Sequence, residues 1–317
     1  MAIARHSVLS GNRPEKLFPV SASGDPGVRT QALQQAIAMV YIVIPVHNRK
    51  EFTRDCLRSL QRQTVVGHRT IVVDDGSTDG TAEMLRSEFP DVIVLQGDGN
   101  LFWTAAINLG ITRALLLGAD YVLTLNNDTV ASENFLEKML FWANQTPNAL
   151  LGALDVDLKT KRPYYGGEWI DWKWSTSRYL LDELRKEEQK GLHEVSLYPA
   201  RGLLIPRMAF EIIGLFEEKE LPHYMADYDF THTARRNGFK IYCNYDATLY
   251  TYPEEGGDHK IRKSKTLRNY LDHLFGIRGG GNLRNFTLYA LRNCPRKDLP
   301  ASLVTGYLRR IAGYWIK

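Results

Sequence analysis

The apolar positions of this chain fall into short runs separated by polar turns, and the runs alternate in period. Ile42-Val43-Ile44-Pro45-Val46 is a continuous apolar stretch of strand length, which predicts a buried strand. Phe52, Cys56, Leu57 and Leu60 then recur at helical spacing, so an amphipathic helix follows. Asn48, with Glu51 three residues later, predicts a capping box at its start. The alternation continues with a strand over 70–73, a helix over 81–89, a strand over 92–95, a helix over 104–117 and a strand over 121–125. Strands alternating with helices predict βαβ units around a mainly parallel sheet.

Outside that stretch the pattern is less regular. Gly, Pro and Ser punctuate positions 11–27, and a short helix is expected over 28–39, so residues 1–39 read as a lead-in segment. Gly166-Gly167 and the aromatic run Trp169, Trp172, Trp174 predict a loop or an edge hairpin. A strand over 202–206, a helical turn over 210–216, a helix over 227–237 closed by Gly238 and a last core strand over 240–243 complete the body. Residues 260–317 are expected to be helical, interrupted by Gly279-Gly280-Gly281 and Pro295. No internal repeat is present.

Composition narrows the class. The chain has 317 residues, 44% hydrophobic and 24% charged, which suits a soluble globular protein and excludes collagen-like, coiled-coil or wholly disordered readings. No run of about 18 apolar residues exists to span a bilayer as a helix. The first 24 residues lack the apolar core of a signal peptide, so a cytoplasmic chain is expected. Cys56, Cys243 and Cys294 lack CxxC spacing, which points to reduced thiols rather than a disulfide framework or structural zinc. The net charge is +4, but residues 260–317 hold 13 Lys and Arg against Asp272 and Asp298. That tail therefore carries +11 and the rest of the chain −7. An acidic body with a basic end suggests a chain that meets a polyanion or an anionic membrane at that end alone.

Candidate chemistry gathers where the predicted strands end. Pro45–Arg49, Asp74–Thr78 and Asn126–Asp128 are polar clusters at three such ends, and ligands of open α/β sheets bind beyond the carboxyl ends of the strands. Gly97-Asp98-Gly99 begins like a dinucleotide fingerprint but lacks its third glycine, and no GxxxxGK[ST] occurs. A dinucleotide oxidoreductase and a P-loop NTPase are therefore disfavoured. No HExxH or serine-centred nucleophile elbow appears either.

Four ordered motifs carry a resemblance. They are Val43-Ile44-Pro45-Val46-His47-Asn48, then Val73-Asp74-Asp75-Gly76-Ser77-Thr78-Asp79-Gly80-Thr81, then Leu125-Asn126-Asn127-Asp128-Thr129, and finally Ala226-Asp227-Tyr228-Asp229-Phe230 with Arg235-Arg236-Asn237-Gly238-Phe239. Together they resemble the family 2 glycosyltransferases of GT-A fold, over roughly residues 40–255. That resemblance implies an α/β fold with a mainly parallel mixed sheet flanked by helices, with a nucleotide-sugar-binding half (40–130) and an acceptor-binding half (131–259). The pattern and charge of the chain add the lead-in (1–39) before it and the basic helical tail (260–317) after it. It further implies an inverting transfer of a sugar from a nucleotide diphosphate to a hydroxyl of a growing glycan in polysaccharide biosynthesis.

By the same resemblance, Asp75 accepts a hydrogen bond from the pyrimidine of the donor, and Pro45 and His47 line the base pocket. Asp128, the last position of a DXD-like motif, is the metal ligand, with a divalent cation (Mn or Mg) neutralising the diphosphate. Asn126 stands where the motif has its first carboxylate, as in rhamnosyltransferase-like members. Asn126 and Asn127 would orient ribose or sugar, and rhamnose on dTDP is the favoured donor, with UDP the other nucleotide considered. Asp227 is the expected catalytic base, although Ala226 replaces the usual preceding Glu. Asp229, two residues on, faces another side of the same helix and is assigned to helix capping or structural hydrogen bonding. Trp103 could stack on the donor, wall the site or pack on a neighbouring helix. Trp169, Trp172 and Trp174 could bind acceptor sugar or pack against the tail. His259 is assigned to the metal or diphosphate. The expected acceptor is a glycan or lipid-linked glycan, with no nucleic-acid partner, and the basic tail could hold the enzyme at the inner face of a membrane. The competing readings are a nucleotidyltransferase, which would need a glycine-rich loop after the first strand, and a catalytically inactive glycan-binding module.

Overall fold

The computed structural model describes residues 38–255 and 265–316. The expected lead-in helix falls almost wholly outside them, as does His259.

Strand β1 (Val40–Val46) is apolar along its whole length because both faces are covered. Tyr41 and Val43 pack with one cluster of core residues, while Val40, Ile42, Ile44 and Val46 pack with another. The first helix, α1 (Lys50–Gln61), lays Cys56, Leu57 and Leu60 on the second face. It is followed by β2 (Arg69–Asp74), α2 (Thr81–Glu88), β3 (Ile93–Gln96), α3 (Phe102–Leu116) and β4 (Tyr121–Thr124). Helix α3 covers the opposite face through Ala106, Ile107 and Ile111. The helix approaches β1 so closely at Gly110 that a Cβ there would lie 2.2 Å from Val43 Cγ1. β1 pairs in parallel with both β2 and β4, and β2 with β3. This half of the sheet follows the expected alternation.

The sheet then continues without a break into the second half of the chain. After β5 (Thr129–Ala131) and α4 (Phe135–Gln145) comes β6 (Ala149–Asp157), a nine-residue strand that the sequence pattern did not announce. Short strand β7 (Pro163–Tyr165) pairs with its end, and the Trp-rich segment forms a hairpin of β8 (Glu168–Asp171) and β9 (Thr176–Tyr179). One helical turn, α5 (Leu180–Glu183), and β10 (Leu192–Glu194) precede β11 (Leu203–Pro206), α6 (Arg207–Ile213) and α7 (Ala226–Arg236). The last strand, β12 (Lys240–Thr251), is three times the expected length. It runs parallel to β6 through a register shift between Asn244 and Thr248. The main strand order is β10-β12-β6-β11-β4-β1-β2-β3, with β11 antiparallel to β4 and β6.

Three helices close the described chain: α8 (Leu267–Phe275), α9 (Leu283–Asn293) and α10 (Leu299–Ile316), with breaks at the expected glycines and at Pro295. Cys56 and Cys243 are buried and Cys294 half-buried, all three as free thiols. Among the described residues no helix is long and apolar enough to cross a membrane.

Candidate active site

Because β11 runs against β4 and β6 runs against β11, one edge of the sheet collects the ends of β1, β2, β4, β6 and β12 and the start of β11. A cleft of about 710 Å³ opens there. Pro45, His47, Asp75, Trp103, Asn126, Asn127, Asp128 and Asp227 all line it, so every described residue expected at the site meets in one place.

The loop after β1 is tied to the loop after β2. His47 Nδ1 donates to the Asp75 carbonyl at 2.6 Å, and Asn48 Nδ2 donates to His47 Nε2 at 3.1 Å, an arrangement that requires the Nδ1–H tautomer. Asn48 does not cap α1. Its φ is +50°, its Oδ1 accepts from Thr78 N at 2.7 Å, and the N-cap position of α1 is Arg49, with no side-chain cap. The expected capping box is thus replaced by a loop-to-loop bridge. The buried Asp75 carboxylate accepts backbone N–H groups from Gly99 (2.8 Å) and Leu101 (3.0 Å). A Cβ at Gly97 would sit 2.5 Å from Asp75 Oδ1. Hence the Gly97-Asp98-Gly99 run serves close packing on Asp75. Each carboxylate oxygen keeps a second lone pair for a ligand donor.

The loop after β4 divides its three side chains. Asn126 Oδ1 accepts from Trp103 Nε1 at 3.0 Å, and the Trp103 ring packs edge-on against Phe216 at 5.6 Å. Trp103 thus forms a wall of the cleft and stands in the first turn of α3. Asn127 is buried and donates from Nδ2 to Thr53 Oγ1 at 3.0 Å, anchoring the loop to α1. Asp128 accepts from Arg49 Nη1 at 3.0 Å, while Arg49 Nη2 reaches Glu255 at 3.4 Å.

Asp227 lies in the first turn of α7, after Met225 in the left-handed region (φ +74°). Its Oδ1 accepts from Tyr228 N at 3.0 Å and its Oδ2 from Ala200 N at 3.4 Å. Burial pushes its carboxyl above the usual carboxylate range, opposed by those two N–H donors and by the Arg201 guanidinium. Asp229 points elsewhere, as the two-residue spacing predicts. It is buried against Arg292 (Nε 2.9 Å, Nη2 3.0 Å) and Asn293 Nδ2 (2.7 Å), which fastens α7 to α9.

Several cleft residues escaped the sequence reading. Arg201 lies two residues before β11, an antiparallel strand whose beginning rather than its end meets the ligand edge. Arg201 Nε and Nη2 both donate to Oδ2 of Asp155, at 2.9 and 2.5 Å. Asp155 belongs to the unforeseen β6 and is fully buried, its Oδ1 without a partner, and burial pushes its carboxyl up to about 6 against the pull of Arg201. His223 and Arg278 also line the cleft. Burial, aided by the Arg278 charge, lowers His223 to about 4, so its imidazole is neutral at pH 7. A polar residue four positions before Asp227 was the available signal for His223. Among the described residues no group of three or more His, Cys, Asp or Glu is placed to hold a metal ion.

The family model for Glycosyl transferase family 2 matches residues 41–211, more than half of the chain. The chain belongs to glycosyl transferase family 2. An uncharacterized glycosyltransferase of Rickettsia typhi is 30% identical over 198 residues, which cover 60% of this chain and 57% of the relative. The chain thus spans little more than half the length of that relative. An uncharacterized glycosyltransferase of Bacillus subtilis, YwdF, is 24% identical over 252 residues, covering 78% of this chain and 88% of the relative. Among solved structures, the Staphylococcus aureus TarS fragment 1–349 superposes with a TM-score of 0.52 at 16% identity, over 86% of this chain and 81% of that one. GalNAc-T7, solved with UDP, GalNAc and Mn2+, gives a TM-score of 0.57 at 13% identity, over 88% of this chain and 57% of that one. These likenesses establish the fold as the GT-A type expected from the motifs.

Proposed function

We propose that this family 2 member is an inverting glycosyltransferase that moves a sugar from a nucleotide diphosphate to a glycan hydroxyl. The observation that carries the reading is the convergence of Asp75, Asp128 and Asp227 on one cleft. Asp75, fixed by two backbone donors, offers its remaining lone pairs to the imide N–H of a pyrimidine, beside Pro45 and His47. Trp103 and Asn126 bound the sugar and ribose region, and the Asn127 amide holds the loop in place.

In the transfer step the acceptor hydroxyl oxygen attacks the anomeric carbon as the bond from that carbon to the diphosphate oxygen breaks. The hydroxyl proton passes to Asp227 and the bond electrons leave with the diphosphate. A half-buried carboxyl with a raised pKa holds that proton better than a solvated one, which suits a general base. Neutral His223 adds a hydrogen-bonding group on the same wall without a competing charge.

Asp128 is a hard oxygen donor facing the cleft, and a divalent cation commonly takes one or two carboxylates plus phosphate oxygens and water. The residues therefore fit a one-carboxylate site in which Asp128 would hold Mn or Mg, with His259 outside the described residues. Bound there, the ion would supply Lewis-acid stabilisation of the departing diphosphate. The Arg49 contact with Asp128 must loosen for that to happen. Rhamnose on dTDP is the donor we favour, supported by the Asn126-Asn127-Asp128 form of the motif. We place the acceptor among lipid-linked glycans of polysaccharide biosynthesis, and the enzyme on the cytoplasmic side of a membrane.

Product analysis with dTDP-rhamnose, UDP-glucose and UDP-GlcNAc against a short glycan acceptor tests this reading. Transfer should occur with inversion, and Asp128→Ala should abolish the portion of activity that EDTA removes. Asp227→Asn should lower kcat by about 10²–10⁴-fold while nucleotide affinity persists. A fully active Asp227→Asn enzyme would refute the assignment of the base.

A further inference from the structure

The surface of the C-terminal helices does not match the rest of the molecule. Among the described residues, ten of the twenty exposed large hydrophobic side chains fall within residues 267–316. Scattered single apolar side chains need no explanation, but a concentration of them does. On α10 the exposed set is Val304, Leu308, Ile311 and Trp315, spaced by four, three and four residues along one stripe. Its other side is fully used: Ser302, Gly306 and Tyr314 are buried, and a Cβ at Gly306 would strike Phe286 of α9. Helix α10 is therefore docked on the protein by one face and presents a second apolar face outward. On α8, Leu267, Leu271 and Phe275 form a second exposed stripe at four-residue spacing. Tyr270 links the two helices, with its ring 5.2 Å from Trp315 and its hydroxyl donating to the Ile311 carbonyl at 3.2 Å.

Charge surrounds this surface. Exposed Arg268 follows the first residue of the α8 stripe. Arg309 lies on α10 with Nε donating to the Trp174 carbonyl, and this contact brings the hairpin tip, with exposed Lys173 and Trp174, alongside α10. The tail as a whole is +11, with Arg284 and Arg292 spent in ion pairs with Glu220 and Asp229 and Asp272 exposed beside Leu271. We propose that the outward faces of α8 and α10, with the hairpin tip, form a docking surface for an anionic lipid bilayer, the helices lying in the plane of its headgroups. An apolar stripe flanked by Lys, Arg and exposed Trp is what such an interface selects. A second copy of the chain fits the charge poorly. Pairing about a two-fold axis would bring two strongly basic segments together. The proposal rests on the glycosyltransferase reading only for why a membrane would matter, and vesicle binding itself is measured without substrate.

The test is co-sedimentation of the full chain with vesicles of phosphatidylcholine alone or with 30% phosphatidylglycerol. We expect about tenfold or more tighter binding to the anionic vesicles, lost in 0.5 M salt. The double variant Leu308→Asp/Ile311→Asp and the variant Arg268→Glu/Lys173→Glu should each bind at least about fivefold more weakly, with unchanged circular dichroism and nucleotide affinity. No binding to anionic vesicles, or equal binding to both kinds, overturns the proposal. So does a concentration-dependent dimer that disappears in Leu308→Asp/Ile311→Asp, since the surface then belongs to a second copy. Loss of transfer activity with intact vesicle binding would count against the enzymatic reading alone.

Discussion

Asp227 and Arg201 line the same cleft, where the Arg201 charge works against the burial that favours a proton on Asp227. Burial raises the Asp227 carboxyl, and the Arg201 charge pulls it back down. If Asp227 is the base, activity requires its ionised form, so kcat/KM should rise with pH along a limb that lies above the ordinary carboxylate range. Removing the positive charge should push that limb further up. We expect Arg201→Met to move it to higher pH, and Arg201→Lys to leave it nearly in place. Asp155 complicates the comparison, because it would lose its partner while fully buried. The double variant Arg201→Met/Asp155→Asn removes that imbalance and should show the same displaced limb. An unmoved profile in both Met variants would mean that Arg201 does not act on the base.

At the scale of elements, the legible parts of the chain were those whose signals are local. β1, α1, β2, α2 and α3 carry their own period, and the polar clusters after β1, β2 and β4 name their place in the cleft before any coordinate is known. β6 had no such signal. It is sandwiched between β11 and β12 and buried on both faces, its apolar run is broken by Gly152 and Asp155, and its partners on those strands lie 53 and 91 to 94 residues away. β12 was cut short at Cys243 because Asn244 and Asp246 interrupt its apolar pattern at the register shift. In the structure Asp246 has its own partners, Gly191 N at 2.9 Å and Trp142 Nε1 at 2.9 Å. Asp155, the group that holds Arg201, belongs to this strand and is as silent in the sequence as β6 itself. The helix carrying Asp227 illustrates the opposite case, since a spacing of two residues is enough to predict that Asp227 and Asp229 point into different surroundings. That separation predicts distinct phenotypes. Asp229→Ala breaks a charged, bidentate link between α7 and α9 and should cost about 1.5–3 kcal/mol in urea unfolding, with kcat near wild type at temperatures where the variant is folded. Packing between elements predicts a second effect. Gly110→Val places side-chain atoms where Val43 already stands, and should cost about 1–3 kcal/mol or more without altering any cleft residue.

For the whole molecule, the decisive joint is where the sheet domain, the Trp-rich hairpin and the C-terminal helices meet. Trp172 from the hairpin lies 5.3 Å from the His232 ring on α7 and 5.4 Å from Tyr289 on α9, and His232 lies 5.7 Å from Tyr289. The hairpin tryptophan thus holds the helical tail to the sheet-bearing body. His232 is only 7% exposed, and its Nε2 has no partner. Burial, with the charges of Arg236 and Arg235, lowers it to about 3 from an ordinary 6.5. A base whose pKa is depressed by folding stays neutral in the native state while the unfolded chain takes up a proton. Stability is therefore fully present above pH 6.5 and is lost as pH falls toward the folded value. Between pH 6.5 and 5 this one residue should remove about 2 kcal/mol. His232→Phe keeps an aromatic ring against Trp172 and Tyr289 but takes no proton. Urea unfolding of both proteins at pH 7, 6 and 5 should show a decline that is shallower in His232→Phe by about that amount. The tail helices should lose their protection from hydrogen exchange first in the wild type at pH 5, because the joint that holds them is the group being charged. Equal slopes for the two proteins would place the acid sensitivity in other groups and leave the joint a purely apolar contact.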